Sequence, residues 1–257
     1  MKLLKIGGSV ITDKSASSGI LKKNIIANIA KELSESRANC LGKLILVNGG
    51  GSFGHPLAKQ YRLDTNYCPI GAIKTHSSVK ELNRVFVQSL IQRGVPAVSV
   101  DPMSCVVCNN GKITHMETRV ITQMLKAKLV PVLFGDVVMD RTKQACILSG
   151  DQIATYLAQQ LSISVIGAGS KEDGVYGPDK KIIKKINNKN FYKIKKDITS
   201  SEHTDVTGGM LGKVQALLTL KNTTSYIFNG EKKGNIEAFL QDRLEKENNI
   251  YTKVTYL

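Results

Sequence analysis

The sequence predicts an α/β fold with a mainly parallel central sheet. Short, continuously apolar runs, at residues 44–47 and 130–134, are typical of strands that are buried on both faces. The segments between such runs repeat apolar residues every three or four positions, which is typical of helices. Strand, helix and strand in this order form a right-handed βαβ unit, so the strands run parallel and ligands bind at their carboxyl ends.

The first βαβ unit spans residues 3–47. Residues 3–6 form a short apolar run and predict the first strand. Residues 21–36 place Ile25, Ile29 and Leu33 on one helical face, and the strand at 44–47 follows. We expect the next helix to begin near Pro56, because the N–H that proline lacks is not needed at the first helical position.

The alternation continues through the middle of the chain. A helix over about residues 73–92 carries Val79 and Leu82 on one face and ends before Gly94, a residue type favoured just past a helix. Thr114 and Glu117 have the spacing of a capping box, which predicts a helix from there to about residue 126. The remaining strands are predicted at residues 97–100 and 130–134.

The carboxyl-terminal part repeats the same pattern. Helices are predicted at residues 152–160, 214–220 and 236–240, and strands at 162–166, 225–228 and 251–256. The strand at 162–166 runs into the segment Gly167-Ala-Gly-Ser170. No Pro/Gly/Ser linker interrupts the chain, so any lobe boundary near residue 160 is soft.

Composition limits the function classes. With 257 residues and 42% hydrophobic content the chain can form a core, and it has no apolar stretch of membrane-spanning length and no signal-like start, so we expect a cytoplasmic protein. The five cysteines are odd in number and scattered, which argues against a disulfide framework. The net charge of +15 is concentrated in residues 180–196, without a recognisable reader module, which favours a solvated basic face over nucleic-acid binding.

Two glycine turns follow predicted strands. Residues 49–54 match the spacing of a dinucleotide fingerprint, but the acidic residue expected about 20 positions later is missing. The same residues have the frame of a P-loop, but His55 and Pro56 stand where lysine and serine or threonine are required. The sequence therefore predicts an anion-binding turn of another kind. The second turn, residues 7–9, lies beside Lys5 and ahead of Lys14.

Five blocks of residues follow one another along the chain. They are Lys5-x-Gly7-Gly8-Ser9, Gly49 to His55, Ser149-Gly150-Asp151, Asp173-Gly-Val-Tyr176 and Asp205-Val-Thr-Gly-Gly-Met-x-Gly-Lys213. Together they resemble the amino acid kinase family, and residues 74–83 resemble, within that family, the isopentenyl phosphate kinases. The resemblance implies a three-layer αβα sandwich with a mainly parallel central sheet. It also implies a lobe of residues 1–160 that binds the phosphate acceptor and a lobe of residues 161–257 that binds the nucleotide.

The resemblance implies transfer of the γ-phosphoryl group of ATP to isopentenyl phosphate, with Mg²⁺ held by phosphate oxygens and water rather than by protein ligands. A homodimer is expected. The implied catalytic residues are Lys14, His55, Lys5, Asp151 and Lys213. The implied nucleotide contacts are Lys5, Gly7, Gly8, Ser9, Gly51, Asp173, Gly174, Tyr176, Gly208, Gly209 and Lys213. The implied acceptor contacts are Gly50, Gly54, His55 and Gly150.

Two alternatives stay open at this point. A fosfomycin-type antibiotic kinase shares the fold and a Gly-Phe-Gly-His block. A basic nucleic-acid-binding or regulatory module on a kinase-like scaffold is the alternative from another class, and the presence of Lys5, Lys14 and Lys213 argues against it. His55 favours a phosphate acceptor, because an imidazole beside a glycine turn can donate a hydrogen bond to a monophosphate.

Overall fold

The fold comes from a computed structural model, which describes residues 1–13, 19–199, 209–246 and 249–256. The strands are β1 Lys2–Ile6, β2 Thr12–Asp13, β3 Ile20–Leu21, β4 Leu44–Asn48, β5 Ala97–Ser99, β6 Val106–Asn109, β7 Lys112–Met116, β8 Val130–Phe134, β9 Asp136–Asp140, β10 Gln144–Leu148, β11 Val165–Ser170, β12 Lys185–Asn187, β13 Thr224–Asn229 and β14 Tyr251–Thr255. The helices are α1 Gly8–Ile11, α2 Lys23–Glu35, α3 Arg37–Cys40, α4 Gly51–Gln60, α5 Pro69–Gln92, α6 Pro102–Cys105, α7 Thr118–Lys126, α8 Gly150–Gln160, α9 Asn188–Thr199, α10 Gly209–Leu218 and α11 Asn235–Leu240.

The central sheet has eight strands in the order β12-β14-β13-β11-β1-β4-β8-β5. Every neighbouring pair is parallel except β13 and β14. The prediction of a mainly parallel sheet is therefore confirmed. Strand β1 lies near the middle, between β4 and β11, and its register pairs Lys5 with Val47 on one side and Ala168 on the other.

Helices cover both faces of this sheet, which confirms the three-layer sandwich. Alternate residues of β1 point to opposite faces: Leu4 and Ile6 pack in one apolar cluster with α2 and α5, and Leu3 packs in another with α8 and α10. The same alternation directs Lys5 toward the face covered by α8. No helix among the described residues is both long enough and apolar enough to span a membrane.

A second, four-stranded sheet in the order β10-β9-β6-β7 flanks the carboxyl edge of the central sheet. The capping box predicted at Thr114 is wrong, because residues 112–116 form β7 and the Thr114 hydroxyl donates to the Val107 carbonyl across the strand pair at 3.0 Å. The helix instead begins at Thr118, where the Glu117 side chain accepts a hydrogen bond from the Arg119 N–H. The alternation of strands and helices in the sequence did not reveal this second sheet.

Two other predicted boundaries are also wrong. Helix α4 begins at Gly51, five residues before Pro56, and its first turn closes when the N–H groups of Phe53 and Gly54 donate to the Gly50 carbonyl. The strand predicted at residues 162–166 instead spans Val165–Ser170, so Gly167 and Gly169 lie inside β11. A methyl group added at Gly167 would lie 2.8 Å from the Phe239 ring, so close helix–sheet packing explains that glycine.

Glu32 of α2 caps the amino terminus of α11 from a distant part of the chain. Its two carboxylate oxygens accept the backbone N–H groups of Gly234 and Glu237, each at 2.9 Å, and the residue is buried. We expect Glu32→Ala to lower the free energy of unfolding by about 1–3 kcal/mol, because it leaves buried donors without a partner. Urea denaturation measures the change.

The matched control for this prediction is Glu35→Ala on the same helix. The Glu35 side chain is half exposed and pairs only loosely with Lys31, at 3.7 Å. Such a surface pair contributes little, so this substitution should shift the urea midpoint by no more than a small fraction of the Glu32→Ala shift. Equal shifts for the two variants would contradict the capping role.

Candidate active site

The site is built where β1 ends and α8 begins. Lys5, the fourth residue of β1, is 6% exposed, and its Nζ lies 3.0 Å from Oδ2 of Asp151. Asp151 is held in place because Ser149 and Gln152 form a capping box that fixes the first turn of α8. A carboxylate in that first turn also complements the positive end of the helix dipole.

Lys213 reaches the same carboxylate from α10. Its Nζ lies 3.6 Å from Oδ1 of Asp151, and the residue is 9% exposed. Burial raises the pKa of Asp151, but Lys213 and Lys5 overcome that effect and lower the pKa to about 2. Asp151 is therefore ionised at neutral pH, and its two carboxylate oxygens face the ammonium groups of Lys5 and Lys213.

The two glycine turns lie in direct backbone contact. A methyl group added at Gly8 would lie 2.2 Å from the Gly51 backbone nitrogen, and one added at Gly49 would lie 2.6 Å from the Gly8 nitrogen. Gly51 also has φ +51, a conformation that residues with a side chain rarely adopt. These glycines are thus required by the close approach of the two turns.

The first turn is fixed on its other side as well. The Gly7 N–H donates to the carbonyl of Gly169 in β11 at 2.8 Å, and the Ser9 carbonyl accepts from Lys22 Nζ at 3.0 Å. Lys22 also pairs with Glu231 at 2.7 Å. The turn after β1 is therefore held by both halves of the chain.

The predicted acceptor contacts form a second group beside the glycine turn. Gly50 and Gly54 pack against Val79 of α5, where an added methyl group would lie 3.1 Å and 2.9 Å from Cγ1 respectively. His55 follows on α4 and is half-buried. Gly150 begins α8 at the Lys5 end of the group, where an added methyl group would lie 3.5 Å from Lys5 Cε.

A further group of predicted nucleotide contacts, Asp173, Gly174 and Tyr176, follows the end of β11. Asp173 accepts hydrogen bonds from Asn229 and Lys232 at 3.0 and 2.9 Å, and the Lys232 contact is the main cause that lowers the pKa of Asp173. A methyl group at Gly174 would lie 2.7 Å from Thr252 Oγ1, so this glycine is needed for packing. Tyr176 is 40% exposed and presents an aromatic ring to the surface.

Gly209 has φ +57 and begins α10, the helix that carries Lys213. Lys14 and Gly208, the other predicted contacts, lie outside the described residues. Of the predicted residues that the structure describes, Lys5, Asp151 and Lys213 converge in one cluster with the glycine turns on one side. The Asp173 group lies apart from this cluster, at the ends of neighbouring strands.

Sequence reasoning missed the buried polar side chains that support the glycine turn. Thr12 Oγ1 donates to the Gly8 carbonyl at 2.8 Å and accepts the Ser52 N–H at 3.0 Å, which ties the two turns together. Asn83 of α5 donates to Oδ1 of Asn48, the residue before the turn, at 2.8 Å. Asn83 falls on the apolar face of its helix, and a polar residue on a core stripe is the signal that could have revealed it.

A cavity of about 370 Å³ opens beside Asp151. Its walls combine the apolar side chains of Leu63 and Ile147 with the polar side chains of Ser149 and Gln152. It lies between the start of α8, α10 and the four-stranded sheet, and Asp151 forms part of its wall.

Two lysines on one carboxylate, beside two glycine turns in contact, suit the transfer of a charged phosphoryl group, and the chain is accordingly a phosphotransferase. A model of the amino acid kinase family matches residues 1–229, so the chain belongs to that family. The family predicted from the five sequence blocks is confirmed.

Several relatives and solved structures resemble the chain over almost its whole length. The isopentenyl phosphate kinase of Methanocaldococcus jannaschii is 36% identical over 95% of this chain and 96% of the relative. That of Methanothermobacter thermautotrophicus is 34% identical, over 93% and 95%. A crystal structure of isopentenyl phosphate kinase superposes with a TM-score of 0.84 at 31% identity, covering 99% of this chain and all of the other.

Proposed function

We propose that the chain transfers the γ-phosphoryl group of ATP to isopentenyl phosphate, giving isopentenyl diphosphate and ADP for isoprenoid biosynthesis. The observation that carries this proposal is the convergence of Lys5 and Lys213 on Asp151 beside two glycine turns in contact. The relatives that share the whole length of the chain support the choice of acceptor. The finer assignments below rest on this reaction.

In this reaction the protein supplies position and charge rather than covalent chemistry. Lys5 and Lys213 contact the phosphates of ATP, and Asp151 keeps both ammonium groups directed at them. The N–H groups of Gly8 and Gly51 donate to the phosphate oxygens, with Gly51 close to the group in transfer. Mg²⁺ bound to ATP neutralises phosphate charge and is held by phosphate oxygens and water, since both oxygens of Asp151 already face lysines.

The remaining roles follow the two lobes. Residues 1–160 bind the acceptor and residues 161–257 bind the nucleotide. Lys14 stabilises charge in the transition state. The base and ribose lie near the second group of predicted contacts, which comprises Asp173, Gly174, Tyr176, Gly208 and Gly209. The protein acts as a homodimer in the cytoplasm, and its basic residues 180–196 form a solvated face.

His55 binds the phosphate of the acceptor, with Gly50, Gly54 and Gly150 around it. The acceptor phosphate is already ionised near neutral pH, so no base has to remove a proton from it. A hydrogen bond from the imidazole positions the attacking oxygen and offsets its charge. His55 therefore acts on the acceptor and leaves the nucleotide untouched.

An acceptor panel tests the proposed function. Purified protein with Mg-ATP is offered isopentenyl phosphate, dimethylallyl phosphate, fosfomycin and acetylglutamate, and ADP release is measured. We expect turnover with isopentenyl phosphate. ADP release with fosfomycin and none with isopentenyl phosphate would replace this proposal with an antibiotic kinase.

We expect His55→Ala to lower kcat/KM for isopentenyl phosphate about 10- to 100-fold, because a hydrogen bond to a charged phosphate is lost. The KM for ATP should change less than about twofold, since the histidine contacts only the acceptor. Steady-state kinetics with each substrate varied separately measure both values. His115→Ala, on exposed strand β7, is the control and should match the wild type. A rise in the KM for ATP alone would remove His55 from the acceptor side.

A further inference from the structure

A second polar cluster lies one residue away from the acceptor contacts. Gly135 sits between Gly50 and Gly150, since a methyl group added there would lie 3.4 Å from the Gly50 nitrogen and 3.3 Å from the Gly150 nitrogen. The next residue, Asp136, has a fully buried side chain. Both of its carboxylate oxygens lie 3.0 Å from Nδ1 of His76 on α5.

Backbone groups complete the surroundings of this carboxylate. The Val137 N–H donates to Oδ1 of Asp136 at 2.8 Å, and the Met103 N–H lies 3.3 Å from Oδ2. A buried carboxylate is costly unless a cation and hydrogen bonds compensate it. Among the described side chains near Asp136, His76 is the group that can supply the positive charge at hydrogen-bond distance.

The second ring nitrogen of His76 faces another carboxylate. Nε2 lies 3.9 Å from Oδ1 of Asp101, whose other oxygen accepts a hydrogen bond from Lys80 at 2.5 Å. His76 thus lies between two carboxylates, and Lys80 pairs with one of them, Asp101. The hydrogen bond to Asp136 is the main cause that raises the pKa of His76, while burial raises the pKa of Asp136.

We propose that His76 is a positioning residue for the phosphate acceptor: as an imidazolium it neutralises Asp136 and so holds Gly135 against the backbone of Gly50 and Gly150. This inference rests on the proposed function, because the acceptor contacts are those of isopentenyl phosphate. Its effect is on the geometry of Gly50 and Gly150. His76 itself touches neither substrate.

A bound divalent cation is the other arrangement that such a cluster could serve, since His76, Asp101 and Asp136 offer atoms within 4.8 Å of one another. The hydrogen bonds favour the ion pair. Nδ1 is already shared with Asp136, and Lys80 already neutralises Asp101. Cation binding is therefore an outcome that the experiment has to exclude.

The proposal predicts that the KM for isopentenyl phosphate rises with pH as the imidazolium of His76 is lost. The pKa of His76 is raised in the folded protein, so the imidazolium is present below that pKa and is lost as the pH rises through it. The groups that face it are Asp136 from β9, Asp101 ahead of α6 and Lys80 from α5 itself. Helix α4 also packs against α5 and carries His55, whose own titration must be separated.

The experiment compares His76→Gln with the double variant His76→Gln/Asp136→Asn. At neutral pH the single variant leaves a buried carboxylate without its cation, and we expect the KM for isopentenyl phosphate to rise about tenfold or more. The KM for ATP should stay within about twofold. The double variant replaces the pair with neutral amides, and we expect it to recover to within about threefold of the wild type. His115→Gln makes the same substitution on an exposed strand and serves as the control.

Two measurements need no acceptor. An NMR titration of the four histidines, with the His76 resonance assigned by its loss in His76→Gln, should show a raised pKa that falls toward its ordinary value in Asp136→Asn. The thermal midpoint of the double variant should exceed that of His76→Gln. If the wild type ignores isopentenyl phosphate, the proposed function fails while these two readouts still report on the ion pair.

Three results would overturn the inference. They are an unchanged acceptor KM in His76→Gln, a double variant no better than the single one, and an ordinary pKa for His76. Equilibrium dialysis of nucleotide-free protein against Zn²⁺ covers the remaining alternative. Stoichiometric binding that His76→Gln abolishes would assign the cluster to a cation and reject the ion pair.

Discussion

Asp151→Asn is expected to lower kcat about 10²- to 10³-fold, a loss typical of removing one element of preorganised charge from an active site. The asparagine keeps the shape of the side chain but cannot offset the charges of Lys5 and Lys213, whose ammonium groups lie 3.0 and 3.6 Å from the carboxylate. Both lysines are buried, so each would turn away from the point where the phosphates meet. Steady-state kinetics with saturating ATP measure the effect.

Asp242→Asn is the matched control for that loss. Asp242 also pairs with a lysine, Lys2, at 2.9 Å, but its side chain is 75% exposed and lies away from the site. An exposed pair contributes little to stability, and the substitution should leave kcat unchanged. If both variants lost activity equally, the effect would come from a general change in charge.

Asp151→Asn also changes the stability of the protein in acid. The pKa of Asp151 is about 2 in the folded protein and about 4 in an unfolded chain, so its stabilising effect is present above pH 4 and is lost as the pH falls toward 2. The free energy of unfolding should therefore fall less between pH 4 and pH 2 in Asp151→Asn than in the wild type. Urea denaturation across that range measures it, and an unchanged slope would contradict the lowered pKa.

Gly8→Ala is the second substitution with a large expected effect. The added methyl group would lie 2.2 Å from the Gly51 nitrogen and 2.5 Å from its Cα, and backbone atoms cannot rotate away as a side chain can. The two glycine turns would have to separate, and their N–H groups would no longer converge on one phosphate. We expect kcat/KM for both substrates to fall about 10²-fold or more, because displacements of about 1 Å have effects of that size.

Gly177→Ala provides the control for Gly8→Ala. A methyl group there would lie 3.3 Å from its nearest neighbour, a side-chain oxygen of Asp179, which can move at the surface. Near-normal kinetics for this variant, beside a large loss for Gly8→Ala, would locate the effect in the contact of the turns. Normal activity of Gly8→Ala would show that the turns can separate without harm.

The parallel sheet and the meeting of the two glycine turns could be predicted from local patterns for a physical reason. Buried parallel strands are continuously apolar, and their carboxyl ends meet at one edge, so residues that follow β1 and β4 had to lie together. The grouping of Lys5, Asp151 and Lys213 was expected only from the family resemblance, because no local pattern brings these three distant residues together.

What could not be predicted depends on contacts between distant segments. Thr114 has the local pattern of a capping residue, yet pairing with Val107 places it in a strand. Gly167 follows the strand predicted at residues 162–166, yet it lies inside β11, where the Phe239 ring leaves no room for a side chain. The pairing of His76 with Asp136 joins residues 60 positions apart. His76 lies in the segment 74–83 that carries the family resemblance, but no local pattern links it to Asp136.

The position of β1 within the central sheet limits how the enzyme can move. Because β1 is hydrogen-bonded to β4 on one side and to β11 on the other, the strands of residues 1–160 and those of residues 161–257 form one continuous ladder. A hinge between these two parts of the chain would have to break backbone hydrogen bonds in the middle of the sheet. The strand that carries Lys5 is therefore held in a fixed frame by its neighbours on both sides.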